Sequence, residues 1–162
     1  MIDFKNYIET IPNFPKEGIL YRDIQPLLEH RNIFRMTIDN LGKMIERKPD
    51  YWVGIDSRGF IFASALAMLC GGGVKLIRKA GKLPNKNLET IEYDLEYGTD
   101  KIQMKGGEGR VVIVDDVFAT GGTMKAAELL CEKSGYTIID KVCLLDIGIV
   151  KGHDVKCLIT YE

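Results

Sequence analysis

The chain is poor in the residues that build metal centres and disulfide frameworks. It has four cysteines and two histidines in 162 residues, and the cysteines are widely spaced with no Cys-x-x-Cys pair. A structural zinc site needs clustered ligands, so the sequence predicts neither a zinc site nor a disulfide scaffold. We expect buried, free thiols. His30 and His153 are expected at a helix start and in a surface turn, without a chemical role.

Long apolar runs and an excess of either charge are also missing. The longest stretch without a charged residue is 59–74, and it contains four glycines. A transmembrane helix needs about 20 apolar residues, and the first residues lack the apolar core of a secretory signal. The net charge of −1 argues against a nucleic-acid or membrane partner. We expect a cytoplasmic protein with a single domain over residues 1–162.

Short apolar runs alternate with amphipathic segments along the chain. The runs predict strands at residues 51–55, 74–77, 110–114, 141–145 and 157–160. Apolar spacings of three and four predict helices at residues 3–11, 32–46 (with Asn32 as N-cap), 59–69 and 123–134. Alternation at residues 90–95 and 101–104 predicts exposed antiparallel strands. This order predicts an α/β fold whose sheet is mostly parallel, with ligands at the carboxyl ends of the strands.

The segment after the predicted central strand suits a phosphate and a sugar. It reads Asp-Asp-Val-Phe-Ala-Thr-Gly-Gly-Thr at residues 115–123. The threonine hydroxyls, the glycine backbone and the following helix start favour a phosphate. The paired carboxylates would instead accept hydrogen bonds from vicinal hydroxyls or lie near a magnesium ion. Phosphate and diol together describe a ribose 5-phosphate. No Gly-Lys-[Ser/Thr] follows, so this is not a Walker loop.

Basic residues follow two other predicted strands. Arg58 precedes a predicted helix start, where a cation is unfavourable unless an anionic ligand is shared there. Residues 75–88 contain five basic residues, no acidic residue and no aromatic residue. The missing aromatics argue against binding of single-stranded nucleic acid. With Gly81 as a pivot, we expect this segment to belong to a mobile lid over phosphates.

Four segments of the chain carry longer motifs. They are FPKEGILYRDIQP at 14–26, IDSRGF at 55–60, RKAGKLP at 78–84 with LEYG at 95–98, and the segment 115–123. Together they resemble the type I phosphoribosyltransferases, and in particular the adenine phosphoribosyltransferases, whose first element reads F-P-x-x-G-I-x-F-R-D-I-x-P. The resemblance extends over residues 2–162. It implies a mostly parallel central sheet flanked by helices, a small hood from about residues 1–30 and a flexible antiparallel lid at about 78–105.

The resemblance also implies a reaction: adenine and 5-phosphoribosyl 1-diphosphate (PRPP) give AMP and pyrophosphate. It implies Mg²⁺ bound mainly through PRPP, near Asp115 and Asp116 rather than in a protein metal site. Arg78 would reach the site of a neighbouring subunit, which implies a homodimer. The family's pattern assigns Glu96 as general acid/base with Tyr97 beside it in the lid. Its binding roles fall as follows: ribose hydroxyls on Asp115 and Asp116; the 5-phosphate on Ala119, Thr120, Gly121, Gly122 and Thr123; pyrophosphate on Arg58, Arg78, Lys79 and Lys82; the base on Leu20, Arg22, Val117 and Phe118.

Two alternatives remain open at the level of the sequence. The same chemistry could act on another purine base, or the fold could serve a PRPP-sensing regulator. The lid sequence favours adenine, and the regulator would need a DNA-binding appendage or a basic face that the sequence does not show. Glu17, Gln25 and the short connection at 105–109 depart from the family pattern, and they bear on base affinity more than on the reaction.

Overall fold

The computed structural model describes residues 2–95 and 98–162 of the chain. After a short 3-10 turn (Phe4–Tyr7), the strands and helices follow one another in the order expected for an α/β protein. The strands are β1 (Glu9–Pro12), β2 (Leu20–Asp23), β3 (Tyr51–Ile55), β4 (Gly73–Lys79), β5 (Leu88–Leu95), β6 (Gly98–Lys105), β7 (Gly109–Phe118), β8 (Tyr136–Asp146) and β9 (Lys156–Thr160). The helices are α1 (Gln25–Glu29), α2 (Arg31–Lys43), α3 (Gly59–Cys70) and α4 (Gly122–Lys133).

Seven strands form one sheet in the order β5-β6-β4-β3-β7-β8-β9. Strands β4, β3, β7, β8 and β9 are parallel, and β6 and β5 extend the β4 edge as an antiparallel hairpin. From β3 the chain crosses through α3 to β4, and from β7 it crosses through α4 to β8 in the opposite direction. The topology therefore reverses between β3 and β7, where α/β sheets bind their ligands. The predicted fold class is confirmed.

Helices cover both faces of this sheet. One apolar cluster joins α1, α2 and α3 to the sheet, and it includes Trp52, Phe62 and Leu66, each at most 1% exposed. The second cluster packs α4 against the other face through Leu130 and Cys131, both fully buried. Residues 111–114 of β7 are fully buried, as a central strand covered on both sides requires. The core thus fixes the end of β7 firmly in the middle of the sheet.

The N-terminal segment departs from the helix predicted over residues 3–11. That prediction is wrong: a 3-10 turn capped by Asp3 is followed by β1, which pairs antiparallel with β2 in a separate two-stranded ribbon. Four residues of backbone pairing outweigh the weak preference of a short isolated helix. The predicted N-cap Asn32 is also wrong, because His30 Nδ1 accepts the N–H of Ile33 at 3.4 Å.

The central strand is longer than predicted. It continues through residues 115–118 because β8 remains paired with it as far as Asp146, so the two acids lie in the strand and not in a loop. His153 is also less exposed than expected. Its side chain is 17% exposed, its Nε2 lies 3.1 Å from Asp146 Oδ2, and its ring stacks on Phe118.

The cysteine thiols are free in the structure. Cys131 and Cys143 are buried as expected, whereas Cys70 and Cys157 are half-buried. Burial raises the pKa of Cys131 to about 12, which makes this thiol a poor nucleophile. Among the described residues, no helix combines the length and apolar character needed to cross a membrane.

Candidate active site

Two adjacent carboxylates stand at the carboxyl end of the central strand. Asp116 is buried at 6% exposure, and Asp115 is half-buried. The Asp115 Oδ1 accepts the N–H of Asp116 at 2.9 Å. Burial, followed by the negative charge of Asp116, raises the pKa of Asp115 well above its usual range. A carboxyl group held in this way gains from any ligand that brings it hydrogen-bond donors.

The start of α3 lies against these acids because residue 59 is a glycine. A Cβ at Gly59 would lie 2.7 Å from the carbonyl oxygen of Val114 and 3.1 Å from Asp115 Oδ1. No other residue type fits such an approach of a helix to a strand. Gly59 thereby places Arg58, the residue before the helix, beside the carboxylates of the neighbouring strand.

The Arg58 guanidinium joins three parts of the structure. Its Nε lies 2.7 Å from Asp116 Oδ2, and its Nη1 donates to the hydroxyl of Tyr21 at 2.7 Å. The Nε–H is not aligned with the carboxylate oxygen, which is left without a hydrogen-bond partner in the described part of the chain. We therefore treat the Arg58–Asp116 contact as an ion pair that still leaves Asp116 Oδ2 open to a ligand hydroxyl.

A cavity of about 290 Å³ opens beside these groups. Its polar lining includes both acids of β7, Arg58, Lys79 and Thr123, together with Asp56 and Ser57 from the turn after β3. Tyr93, Leu95, Asp100 and Ile102 of the β5–β6 hairpin line its other wall. The three segments selected from the sequence, which begin at residues 56, 78 and 115, therefore meet at one cavity.

A second, smaller cavity of about 70 Å³ adjoins the first. Ala119, Thr120 and Gly121 line it, and Asp115 and Thr123 line both cavities. Gly121 has a φ of +85° and directly precedes α4, a conformation that glycine adopts without strain. The first-turn N–H groups of α4 have no partner within the helix and start at this cavity, which suits a phosphate.

The four predicted pyrophosphate residues separate into two groups. Arg58 and Lys79 line the larger cavity, and Lys79 Nζ forms a short ion pair with Asp100. The hydrogen bond to Asp100 raises the pKa of Lys79, so this amine stays charged at neutral pH. Arg78 lies on the opposite face of β4, with its Nε 3.3 Å from Asp56 Oδ2 and its guanidinium 5.9 Å from the Phe60 ring. Lys82 is exposed beyond the end of β4.

The predicted base-binding residues also divide. Leu20 and Arg22 lie on β2, and the Arg22 guanidinium stacks 3.9 Å from the Tyr161 ring centroid. Val117 packs against the apolar cluster that contains the N-terminal segment. Phe118 belongs to the α4 side, is 5% exposed, and its ring lies beneath Gly121 and against His153. Val117, rather than Phe118, lies on the side of β2.

The predicted catalytic Glu96 and the lid residue Tyr97 lie outside the described residues. Sequence reasoning missed Asp100, which lies two residues before the β6 partner of Lys79 and so on the same face of the sheet, and it missed the contact from Tyr21 to Arg58. It also missed the cis peptide between Asp56 and Ser57, for which the sequence carries no signal.

The site suits a magnesium ion only in company with a ligand. In the parts of the chain that the structure describes, no group of three or more His, Cys, Asp or Glu side chains is arranged to hold a metal. Asp115 and Asp116 offer the hard oxygen donors that Mg²⁺ prefers, and Mg²⁺ commonly binds through one or two carboxylates plus substrate phosphates. These donors fit an ion carried by a phosphorylated substrate.

Comparison with known proteins identifies the family. Residues 24–161 match the family described as "Phosphoribosyl transferase domain". The adenine phosphoribosyltransferase of Hydrogenovibrio crunogenus is 51% identical over 155 residues, which cover 91% of this chain and 88% of that protein. The chain belongs to the adenine phosphoribosyltransferase family.

Solved structures of the family agree with the fold. The enzyme from Thermoanaerobacter pseudethanolicus is 38% identical with a TM-score of 0.90, and the match covers 98% of both chains. The Saccharomyces cerevisiae enzyme is 34% identical with a TM-score of 0.86, over 96% of this chain and 95% of that one. The family expected from the four sequence segments and the enzyme class are thereby confirmed. These relatives are enzymes, and they give no support to a PRPP-sensing regulator.

The raised pKa of Asp115 predicts a pH-dependent effect of its removal. A folded-state pKa above the unfolded one means that ionisation destabilises the folded protein as pH rises through the folded value. Asp115→Asn cannot ionise, so relative to wild type we expect it to raise the free energy of unfolding more at pH 8 than at pH 5. Urea unfolding at both pH values measures this difference.

The exposed Asp94→Asn serves as the control, because Asp94 carries the same functional group outside the site. We expect its effect on the free energy of unfolding to be the same at both pH values. An Asp115→Asn effect that does not grow with pH would show that the Asp115 carboxyl is not destabilised by its surroundings.

Proposed function

We propose that this protein transfers the 5-phosphoribosyl group of PRPP to adenine, giving AMP and pyrophosphate. The observation that carries the proposal is the order of groups along the two joined cavities. The α4 start lies at one end, Asp115 and Asp116 lie in the middle, and Arg58 and Lys79 lie at the other end. PRPP has the matching order of 5-phosphate, ribose diol and 1-diphosphate.

The binding roles follow from this order. The backbone of residues 119–123 and the hydroxyls of Thr120 and Thr123 hold the 5-phosphate. Asp115 and the open Asp116 Oδ2 accept hydrogen bonds from the ribose hydroxyls. Arg58 and Lys79 hold the diphosphate, Lys82 acts from outside the cavity when the lid closes, and Arg78 binds the diphosphate in the site of a neighbouring subunit. Bound with PRPP near the two acids, Mg²⁺ supplies positive charge that neutralises the leaving diphosphate.

Catalysis is then mainly positioning and electrostatic stabilisation. The purine nitrogen forms a bond to C1 of the ribose as the bond from C1 to the diphosphate oxygen breaks, through an oxocarbenium-like transition state. Arg58 and Lys79 stabilise the negative charge that gathers on the diphosphate. Glu96 handles the proton of the purine, with Tyr97 beside it. The site needs no covalent intermediate with the protein.

The free edge of β2 is suited to reading the base. Pro12 of β1 lies opposite Leu20 of β2 and has no N–H. These two residues therefore cannot form the two reciprocal hydrogen bonds of a hydrogen-bonded pair. By the alternation of an antiparallel ladder, the backbone groups of Leu20 and Arg22 point away from β1 and can hydrogen-bond to adenine. Val117 packs on the ring. The S. cerevisiae relative was solved with adenine and an imino-altritol bisphosphate, which supports adenine as the base.

The remaining expectations complete the proposal. Residues 1–30 act as the hood over the base, and residues 78–105 act as the lid, all within one domain over residues 1–162. The enzyme works as a homodimer in which Arg78 reaches the neighbouring site. Its phosphorylated substrates and its free thiols favour the cytoplasm.

The substrate is tested by measuring pyrophosphate release from PRPP and Mg²⁺ with each purine base supplied separately. We expect release with adenine and none with hypoxanthine, guanine or xanthine, because the β2 backbone offers a fixed pattern of donors and acceptors. Release with another base alone would overturn the assignment of the base. Tight PRPP binding without release for any base would favour a PRPP sensor over an enzyme.

The role of Glu96 is tested by Glu96→Ala. Loss of a general acid/base is expected to lower kcat about 100-fold, while the Kd of PRPP changes less than about threefold, because the group acts on the transition state. Steady-state kinetics and calorimetry measure the two quantities. Glu92→Ala is the matched control, since Glu92 is a glutamate only four positions earlier in the sequence and lies on β5 in an exposed pair with Lys101. Equal losses in kcat and PRPP affinity would contradict the catalytic role.

A further inference from the structure

The hydroxyl of Tyr21 makes the only hydrogen bond between the N-terminal ribbon and Arg58 in the described structure. Tyr21 lies on β2 between Leu20 and Arg22, and its hydroxyl accepts the Nη1–H of Arg58 at 2.7 Å across 37 residues of sequence. The family element given above has phenylalanine at this position. The bond therefore uses an oxygen atom that the family's usual side chain does not have.

Tyr21 and Asp116 hold the Arg58 guanidinium from two sides. The Nε lies beside Asp116 Oδ2 while Nη1 is bound to Tyr21. A guanidinium is planar with five N–H donors in a fixed fork, so contacts at two of its nitrogens restrict its position and its rotation. The side chain is 35% exposed and lines the larger cavity. Its remaining donors are left for an anion in that cavity.

Without the Tyr21 hydroxyl, the guanidinium would have one anchor. Arg58 has no side-chain cap bond at the start of α3, and its contact with Asp116 is poorly aligned. Holding a long side chain in one conformation costs conformational entropy, and a single charged partner offsets little of that cost. The Arg58 side chain would therefore be more mobile. In the proposed complex Asp116 also accepts a hydrogen bond from a ribose hydroxyl, which weakens its ion pair with Arg58.

We propose that Tyr21 is a positioning residue that holds Arg58 for the diphosphate and links the base-reading strand to the diphosphate end of the site. This inference rests on the proposed function. Tyr21 acts through Arg58 and not on the reacting atoms.

Tyr21→Phe tests the proposal because it removes the oxygen and keeps the ring, including its edge-to-face contact with Phe14 at 5.0 Å. We expect the Kd of magnesium pyrophosphate and the KM of PRPP to rise about tenfold, the size of a lost hydrogen bond to a charged group. The KM of adenine and the Kd of AMP should change less than about twofold. A role confined to packing would change none of the four.

The dependence on Arg58 is tested by a double-mutant cycle. In an Arg58→Met background, Tyr21→Phe should have no further effect on pyrophosphate binding. Tyr7→Phe is the control, since it removes a hydroxyl from the same N-terminal segment away from Arg58. Arg58→Lys, which keeps the charge but cannot reach both anchors as a fork, should weaken pyrophosphate binding like Tyr21→Phe.

Two results would overturn the proposal. One is unchanged pyrophosphate binding in Tyr21→Phe, and the other is an equal loss for AMP and pyrophosphate. Calorimetry with magnesium pyrophosphate needs no turnover, so it keeps this test separate from the proposed function. Wild-type protein that releases no pyrophosphate with any purine would refute the proposed function and leave the Tyr21–Arg58 measurement interpretable.

Discussion

The close approach of α3 to the end of β7 is the constraint on which the site depends. Gly59 lets the helix start lie against Val114 and Asp115, and this places a cation from one strand connection beside the acids of the next. The approach occurs where the sheet reverses its order, between β3 and β7. A Cβ at residue 59 would push the start of α3 away from β7. Arg58 would then be separated from Asp116.

The charged groups where α3 meets the end of β7 are incompletely paired with one another. Asp115 is an acid whose burial opposes ionisation, and Asp116 has an oxygen without an aligned donor. The positive groups around them, Arg58 and Lys79, are each paired with a carboxylate and also face the cavity. A ligand that brings hydroxyls to the acids and phosphates to the cations improves each of these contacts. Such a ligand would offset the unfavourable burial of these charges.

The sequence predicted the sheet, its mostly parallel order and the three segments that meet at the cavity. It did so because buried β-branched runs and glycine-rich turns are local signals. The helix predicted over residues 3–11 failed because pairing of β1 with β2 depends on residues that are distant in sequence. The opposite directions of Arg78 and Lys79 follow from alternation on β4, yet which of the two faces the cavity depends on where α3 packs.

Side-chain contacts across the fold were beyond prediction from the sequence. The stacking of Arg22 on Tyr161 and of His153 on Phe118 joins segments more than 30 residues apart. Phe118 is an example: its ring lies beneath Gly121 and against His153, and its role toward the base stays a prediction from the family resemblance. Composition and residue spacing describe local sequence only, so they do not predict contacts between residues that are distant in sequence.

The central claim is that Asp115 and Asp116 recognise the ribose diol of a 5-phosphorylated sugar. Calorimetric titration with ribose 5-phosphate and 2-deoxyribose 5-phosphate tests it most directly, because the two ligands share the phosphate and differ in one hydroxyl. We predict that the deoxy sugar binds at least about tenfold more weakly, since a buried carboxylate oxygen would be left without its donor. Equal affinity for the two sugars would contradict the claim.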